Sequence, residues 1–420
     1  MRLLVSLLFL FLIAPRILFA QEVKHIGINE FIQQALSQNP QILAAEFRYE
    51  AARARVVFFR NIPDPMIEYE YDKITPSSNG EGKPMKSVSV TQDIPFPTKL
   101  FLKRKAARQE MDALQQEYKE TQQRIIKEVK EAYASLFVTQ RKISFTKDSL
   151  ELANQMSKAT EVRYSSSRGS QVEVLRAQAE QDKLLVQQKQ FDQERIIAKS
   201  LLASLINKTP QDLGDIDMSM GATEEDISEE NIVNKVKQNR PELKSFRAML
   251  DKAKTEYSLS KQELLPDITL KYKHEERNDN FSKGQWTGSV GLTVPLWFWG
   301  KQVPMIAEAR AGLRAAQADY QAAENTALFE GRSALAKVKA SVDVVRLYEQ
   351  GILPRMKSAV VTARVAYESG TGDFTEYITA FKALRDFQME YTDALATLAI
   401  AKADLDRVVG GAIVSLGGMK

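Results

Sequence analysis

Two hydrophobic periods alternate in blocks along this chain. Over residues 66–71 and 87–91 apolar and polar residues alternate strictly, and 267–272 and 287–294 repeat the pattern. A period of two gives a strand one apolar and one polar face. The stretches between them, 73–86 and 276–285, are rich in Ser, Asn, Asp, Gly and Lys and read as solvated loops. Elsewhere the period is seven. Val129, Leu136, Ile143 and Leu150 fall in one row and Tyr118, Ile125 and Ala132 in a parallel one; Leu328, Leu335 and Val342, and Val338 with Val345, do the same later. A sustained seven-residue period is a coiled-coil signature. No Gly or Pro occurs from Leu100 to about Tyr164, whereas globular helices average about 11–12 residues. At ~1.5 Å per residue that run predicts a helix on the order of 100 Å long. Pro354 should kink its later counterpart.

The blocks occur twice, about two hundred residues apart. Asn39-Pro40 matches Arg240-Pro241, Pro63-Asp64 matches Pro266-Asp267, and Gln92-Asp93-Ile94-Pro95 matches Leu292-Thr293-Val294-Pro295. Val162-Arg163-Tyr164 matches Val365-Ala366-Tyr367, each before a glycine-containing break. Each half therefore reads helix, strand, loop, strand, very long helix, break, second helix. The breaks at 165–170 and 368–373 turn the chain into 171–208 and 374–409. The expected division is a signal peptide at 1–20, a first repeat at 21–208, a linker at 209–228, a second repeat at 229–409 and a tail at 410–420.

Composition narrows the function classes. Residues 1–20 read as a secretory signal: Arg2, an apolar run over 3–14 too short to span a bilayer, and Ala20 before Gln21. The formal net charge of +4 is small, and almost equal numbers of acids and bases leave no basic footprint for nucleic acid. There is no cysteine, which removes disulfides, thiol nucleophiles, zinc-thiolate sites and a lipidated N-terminal Cys. His25 and His274 are the only histidines, so neither a His-rich metal site nor a Ser-His-Asp triad is easily built. No metal, cofactor or catalytic residue is expected. No later segment approaches 18 consecutive apolar residues, so any membrane passage must use strands.

Four strands cannot close a membrane barrel, whose smallest forms have about eight. Open edges in lipid cost several kcal/mol per unpaired backbone group. Three copies would supply twelve strands and close a channel, so edge satisfaction points to a homotrimer in a membrane. Trp297, Phe298 and Trp299 at one strand end and Trp286 at the other suit the two membrane-water interfaces. A small soluble sheet on a helical bundle is the competing reading, with the same rings capping a core.

In its duplicated order the chain resembles the TolC-like outer membrane factor family over about residues 26–409. The resemblance rests on the two X-Pro helix openings and on Asp93-Ile94-Pro95-Phe96-Pro97-Thr98-Lys99-Leu100. It rests also on Val294-Pro295-Leu296-Trp297-Phe298-Trp299-Gly300-Lys301, on Ile352-Leu353-Pro354 and on Tyr367 followed by Gly370. The junction segments are similar to the heavy-metal-efflux branch, the cobalt-zinc-cadmium type. The resemblance implies a mixed, mainly α chain: long coiled-coil helices forming a periplasmic α-barrel below four strands of a twelve-stranded trimeric β-barrel. It implies an outer-membrane localisation with a long periplasmic portion, and conduction from an adaptor and an inner-membrane transporter, of which the RND type is one that fits, with metal cations as one cargo class.

The resemblance also implies where a gate would lie. Acidic residues just after the breaks ring the family's constriction, and the matching positions are Glu376 and, in the first half, Glu173. Where the family has a second acid this chain has Thr379, with Asp373 close by. Tyr367 matches a tip tyrosine that holds helix pairs closed; its basic partner would fall at Gly372, leaving Arg163 and Arg168 as substitutes. The exposed tips, with Arg163, Tyr164, Arg168 and Gly169 on one side and Tyr367 and Gly370 on the other, are the expected adaptor contacts. Three alternatives stand beside this reading. They are the outer-membrane duct of a type I protein secretion system, a periplasmic coiled-coil adaptor, and an enzyme using a pair of the 54 acids, for which long heptad helices offer no cleft.

Overall fold

The computed structural model describes residues 27–59, 61–72, 85–213, 228–277 and 284–411. The expected signal segment, most of both strand-connecting loops and of the linker, and all but the start of the tail lie outside these residues.

The first half contains α1 (Ile28–Gln38), α2 (Pro40–Phe58), β1 (Met66–Asp72), β2 (Met85–Ile94), α3 (Pro97–Ser165) and α4 (Gln171–Leu205). The second contains α5 (Glu229–Asn239), α6 (Pro241–Gln262), β3 (Asp267–Arg277), β4 (Gln285–Thr293), α7 (Gln302–Leu347), α8 (Leu353–Ser369) and α9 (Phe374–Val409). The prolines set several boundaries. Pro40 and Pro241 occupy the first helical position, where a missing N–H costs nothing. Asn39 caps α2 by accepting from the Gln41 N–H at 2.8 Å, and its amide donates to the Leu205 carbonyl at 2.8 Å.

α3 is a single helix of 69 residues. Its mate is built from α7, a five-residue π turn (Tyr348–Ile352) and α8, which run on without a break. Pro354 has no N–H to donate, and the helix adjusts just before it: the Leu353 N–H bonds the Tyr348 carbonyl, one residue beyond the α-helical partner. Two reciprocal bonds brace this turn against α9. The Tyr348 hydroxyl donates to Glu390 at 2.9 Å and the Tyr391 hydroxyl donates to Glu349 at 2.6 Å.

The heptad rows pack as their period predicts. Val129, Leu136, Ile125 and Ala132 are buried in one cluster with Phe31, Tyr133 and Leu202 from α1, α3 and α4. Leu335 and Val338 join Ile232, Val236 and Leu405 in its counterpart in the second half. A third cluster, around Tyr367, Phe374 and Phe381, lies at the far end of the long helices. α3 and α9 are laced by ion pairs: Lys127–Asp404 at 2.9 Å, Lys130–Asp406 at 2.5 Å and Lys142–Asp393 at 2.6 Å.

The strands form one antiparallel sheet in the order β1-β2-β3-β4, so the two halves join through β2 and β3. The register brings Ile67, Val90, Tyr272 and Gly288 onto one face and Glu68, Ser89, Lys273 and Thr287 onto the other. On the polar face Ser87 and Ser89 donate to Glu70 and Glu68 at 3.3 Å, and Lys273 and Lys271 reach the same carboxylates at 3.5 Å. On the apolar face Ile67, Tyr69, Tyr272, Val290 and Leu292 stand exposed. The sheet joins the helices at one clamp: Asp267 accepts from the Phe96 N–H at 2.8 Å and from buried Lys99 at 2.9 Å.

Candidate functional site

The two helix-helix breaks meet at one end of the molecule, remote from the sheet along α3. Each is built by local backbone chemistry. Ser170 caps α4 and Asp373 caps α9, their side chains accepting from Val172 N–H at 3.2 Å and Thr375 N–H at 2.9 Å. Gly370 ends α8 with φ of 83°, a left-handed conformation that glycine adopts without strain.

Tyr367 is the hub of this tip. Its hydroxyl donates to Glu173 on α4 at 2.8 Å, and its ring packs against Phe374 and Tyr377 of α9. The Arg163 guanidinium, from the end of α3, lies 4.5 Å from the ring centroid and donates to the Tyr367 carbonyl. One tyrosine thus ties α8 to both helices of the other hairpin. Burial first, then the bond to Glu173, pushes the Tyr367 phenol well above its ordinary value, so it is the proton donor of that bond.

These positions change three expectations. Tyr367, placed among the exposed adaptor contacts, is 1% exposed because its ring fills the apolar cluster between hairpins. Glu173 is half-buried, its carboxylate occupied by that phenol. Of the two substitute bases, Arg163 takes the tyrosine, while Arg168 is exposed and contributes its carbonyl to Arg163 at 3.2 Å. Tyr164 is exposed, and Gly169 packs against Arg163 closely enough that a Cβ would come within 3.1 Å of that side chain.

Asp373, the cap of α9, and Glu376 and Thr379 within its first turns are all exposed and follow one another at intervals of three residues. Thr379 turns its hydroxyl back to the Thr375 carbonyl at 2.6 Å, so Asp373 and Glu376 are the charges this row presents. Next along the hairpins lies a network that sequence reasoning missed. Arg385 of α9 and Glu180 of α4 form an ion pair with both side chains 6% exposed. Lys382 reaches Glu180 at 3.2 Å and Asp386 reaches Arg385 at 2.9 Å. A charge within a long helix ordinarily reads as solvated; the only signal was the coincidence of opposite charges at matching depth on two helices.

The aromatic residues at the strand ends are solvent-facing in the single chain. Trp286 stacks on Tyr272 and His274 at centroid distances of 5.1 and 4.0 Å. Trp297, Phe298 and Trp299 cluster edge-to-face in the turn between β4 and α7. Among the described residues no helix is long and apolar enough to cross a membrane, and no group of three or more His, Asp or Glu could hold a metal ion.

The sequence profile of the family described as outer membrane efflux protein matches this chain twice, over residues 31–208 and 232–411. The chain belongs to the outer membrane efflux protein family. TolC, an outer membrane protein of Vibrio cholerae, is 22% identical to this efflux-family chain over 402 residues, covering 91% of it and 90% of TolC. The cobalt-zinc-cadmium resistance protein CzcC of Cupriavidus metallidurans is 20% identical over 286 residues, 67% of each chain. Among solved structures, the outer-membrane channel OprN superposes with a TM-score of 0.80 at 18% identity, covering 91% of this chain and 90% of OprN. The mainly helical fold with a four-stranded sheet is therefore that of the efflux channels, and the tip is where this family member's own contacts tie its two helical hairpins together.

Proposed function

We propose that this chain is the outer-membrane channel of a tripartite efflux system, closed from three copies. In this channel the two repeats, 21–208 and 229–409, each supply one strand hairpin and one pair of long helices. The observation that carries the reading is the two-faced sheet. It has one exposed apolar face, one face of paired Glu, Lys and Ser, and open outer edges, on a chain whose helices extend roughly 100 Å beyond it. Such a sheet suits lipid outside and a polar lumen inside.

The gate is the helix tip. The Tyr367–Glu173 and Arg163–Tyr367 contacts hold it closed, and Glu376 with Asp373 supplies the charges of a threefold ring that attracts cations. The exposed residues Tyr164, Arg168 and Gly370 belong to the surface that a periplasmic adaptor grips, with an inner-membrane transporter behind it. Metal cations are one cargo class, supported by the similarity to CzcC and by the acidic ring. No residue is assigned a catalytic role.

Expression in a Gram-negative host tests this reading. The channel predicts recovery in the outer-membrane fraction as a trimer that dissociates on heating. Recovery as a soluble periplasmic monomer would instead favour the coiled-coil adaptor.

A further inference from the structure

The helices that continue the sheet carry charge unevenly round their axes. Lys99, near the start of α3, donates to Asp267, which shares the polar face of the sheet with Lys271 and Lys273. That contact marks the polar side of α3. At 3.6 residues per turn, Phe101, Arg104, Lys105 and Arg108 stand roughly 140–240° round the helix from Lys99, on the side of the sheet's apolar face. All four are exposed, Phe101 by 67%, and the three cations have no hydrogen bond or ion pair among the described residues. Glu110, the nearest acid in sequence, turns to the polar side and pairs with Arg55 and Lys252 at 3.1 Å. The first acid on the cationic face is Asp112, one turn beyond Arg108.

Two neighbouring helices repeat the arrangement. On α6, Glu263 pairs with Lys99 at 3.5 Å, and Lys254, Tyr257 and Lys261 lie on the opposite face. Lys254 is tied to Asp251 at 2.9 Å, while Lys261 has no carboxylate partner among the described residues and places its ammonium 4.0 Å from the Tyr257 ring centroid. On α7, exposed Val303, Arg310 and Arg314 share one face, with Glu308 off it, and neither arginine has an ion pair among the described residues.

The level of these cations is set by the strands. α3 starts at Pro97, directly after β2 ends at Ile94. At about 1.5 Å per residue, Phe101 lies about 6 Å and Arg104 and Lys105 about 10–12 Å along the axis from Pro97. Helical side chains lean toward the helix N-terminus, which for α3 is toward the sheet. Long basic side chains also extend their heads to a polar layer. Headgroups occupy about 5–8 Å on each side of the hydrocarbon, within reach of these leaning side chains once the sheet spans the bilayer. Exposed Trp297 and Trp299 stand at the same end of the sheet.

We propose that the outer faces of α3, α6 and α7 form a cationic collar for the anionic headgroups of phospholipids in the leaflet facing the helices, centred on Arg104, Lys105 and Arg108. The inference rests on the membrane-channel reading above. Charge complementarity selects this occupant. A second copy of the chain seated on α3 here would bury three cations without partners, which is costly, whereas lipid phosphates neutralise them.

Tryptophan quenching by brominated lipid tests the collar in the full-length, vesicle-inserted protein. Trp286→Phe leaves Trp297 and Trp299 as the reporters, since the chain has three tryptophans. In phosphatidylcholine vesicles, brominated phosphatidylglycerol should quench them at severalfold lower mole fraction than brominated phosphatidylcholine. Each Lys or Arg near the surface contributes about fivefold to such a preference. In this background Arg104→Gln/Lys105→Gln/Arg108→Gln should abolish it, Arg104→Lys/Lys105→Arg/Arg108→Lys should keep it, and about 1 M salt should suppress it by screening. Equal quenching by the two lipids in the parent, or a preference untouched by the glutamine variant, would overturn the collar and leave the channel reading standing. So would loss of trimer in the glutamine variant alone, which would make this face an interface between copies. Failure of every form to insert would overturn both.

Discussion

Tyr367→Phe removes one oxygen and leaves the rest of the tip in place. The ring keeps its packing against Phe374 and Tyr377 and its place under the Arg163 guanidinium, while the 2.8 Å bond to Glu173 is lost. A hydrogen bond to a charged group is worth about 1.5–3 kcal/mol net, and the half-buried Glu173 places this one toward the lower value. At about 1.4 kcal/mol per tenfold, each copy should shift roughly tenfold from closed toward open, and three latches releasing together by up to about a thousandfold. The assay is leakage of a trapped anionic or cationic dye from proteoliposomes, whose rate follows the open population. Glu173→Gln keeps an acceptor for the phenol and should shift less. The double variant Tyr367→Phe/Glu173→Gln should add little to Tyr367→Phe alone, because both act on one bond. Leak unchanged by Tyr367→Phe, or fully additive in the double variant, would refute the latch.

Other consequences concern stability. Arg385→Met takes from Glu180, whose side chain is 6% exposed, its buried partner and leaves it only the half-exposed Lys382; it should cost about 3 kcal/mol, the lower end for a broken buried pair, read as loss of thermal stability. Replacing both partners, Arg385→Met with Glu180→Leu, should recover most of it. The alkaline limit should reflect buried phenols. Burial first, and then bonds to Glu173 and Glu349, raise the folded values of Tyr367 and Tyr391 above about 10, the value of an unfolded tyrosine. Their contribution is complete below pH ~10 and is lost as pH rises toward the folded values, so unfolding followed by circular dichroism should steepen above pH ~10, less so in Tyr391→Phe. Lys99→Met takes from Asp267 its ammonium partner and leaves only the Phe96 N–H. It should cost about 2 kcal/mol, measured as a lower dissociation temperature of the trimer.

The elements that were legible in the sequence are those whose signal is periodic or punctuated. The X-Pro pairs at 39–40 and 240–241 and the alternating strands fall where the backbone places helix starts and strands. So does the Gly- and Pro-free run after Lys99. A period reports one element at a time. The joining of the hairpins through β2 and β3 is a long-range pairing that no local pattern encodes. The tip was legible as a place and less so as a set of contacts. Arg163 and Arg168 are equivalent in composition, and only the helical geometry at the end of α3 puts the first against Tyr367. Glu173 and Glu376 occupy matching positions in their repeats, yet in the single chain one is consumed by a tyrosine of the neighbouring hairpin and the other is exposed. The π turn before Pro354 answers an expected kink with a widened helical turn.

The most direct test of the central claim is the ionic current of the purified protein in a planar bilayer under a salt gradient, wild type against Glu376→Ala. A closed duct with an acidic gate predicts small, cation-selective unitary currents whose selectivity falls in the variant. A folded, inserted trimer that carries no current, or one whose selectivity is indifferent to Glu376, would contradict it.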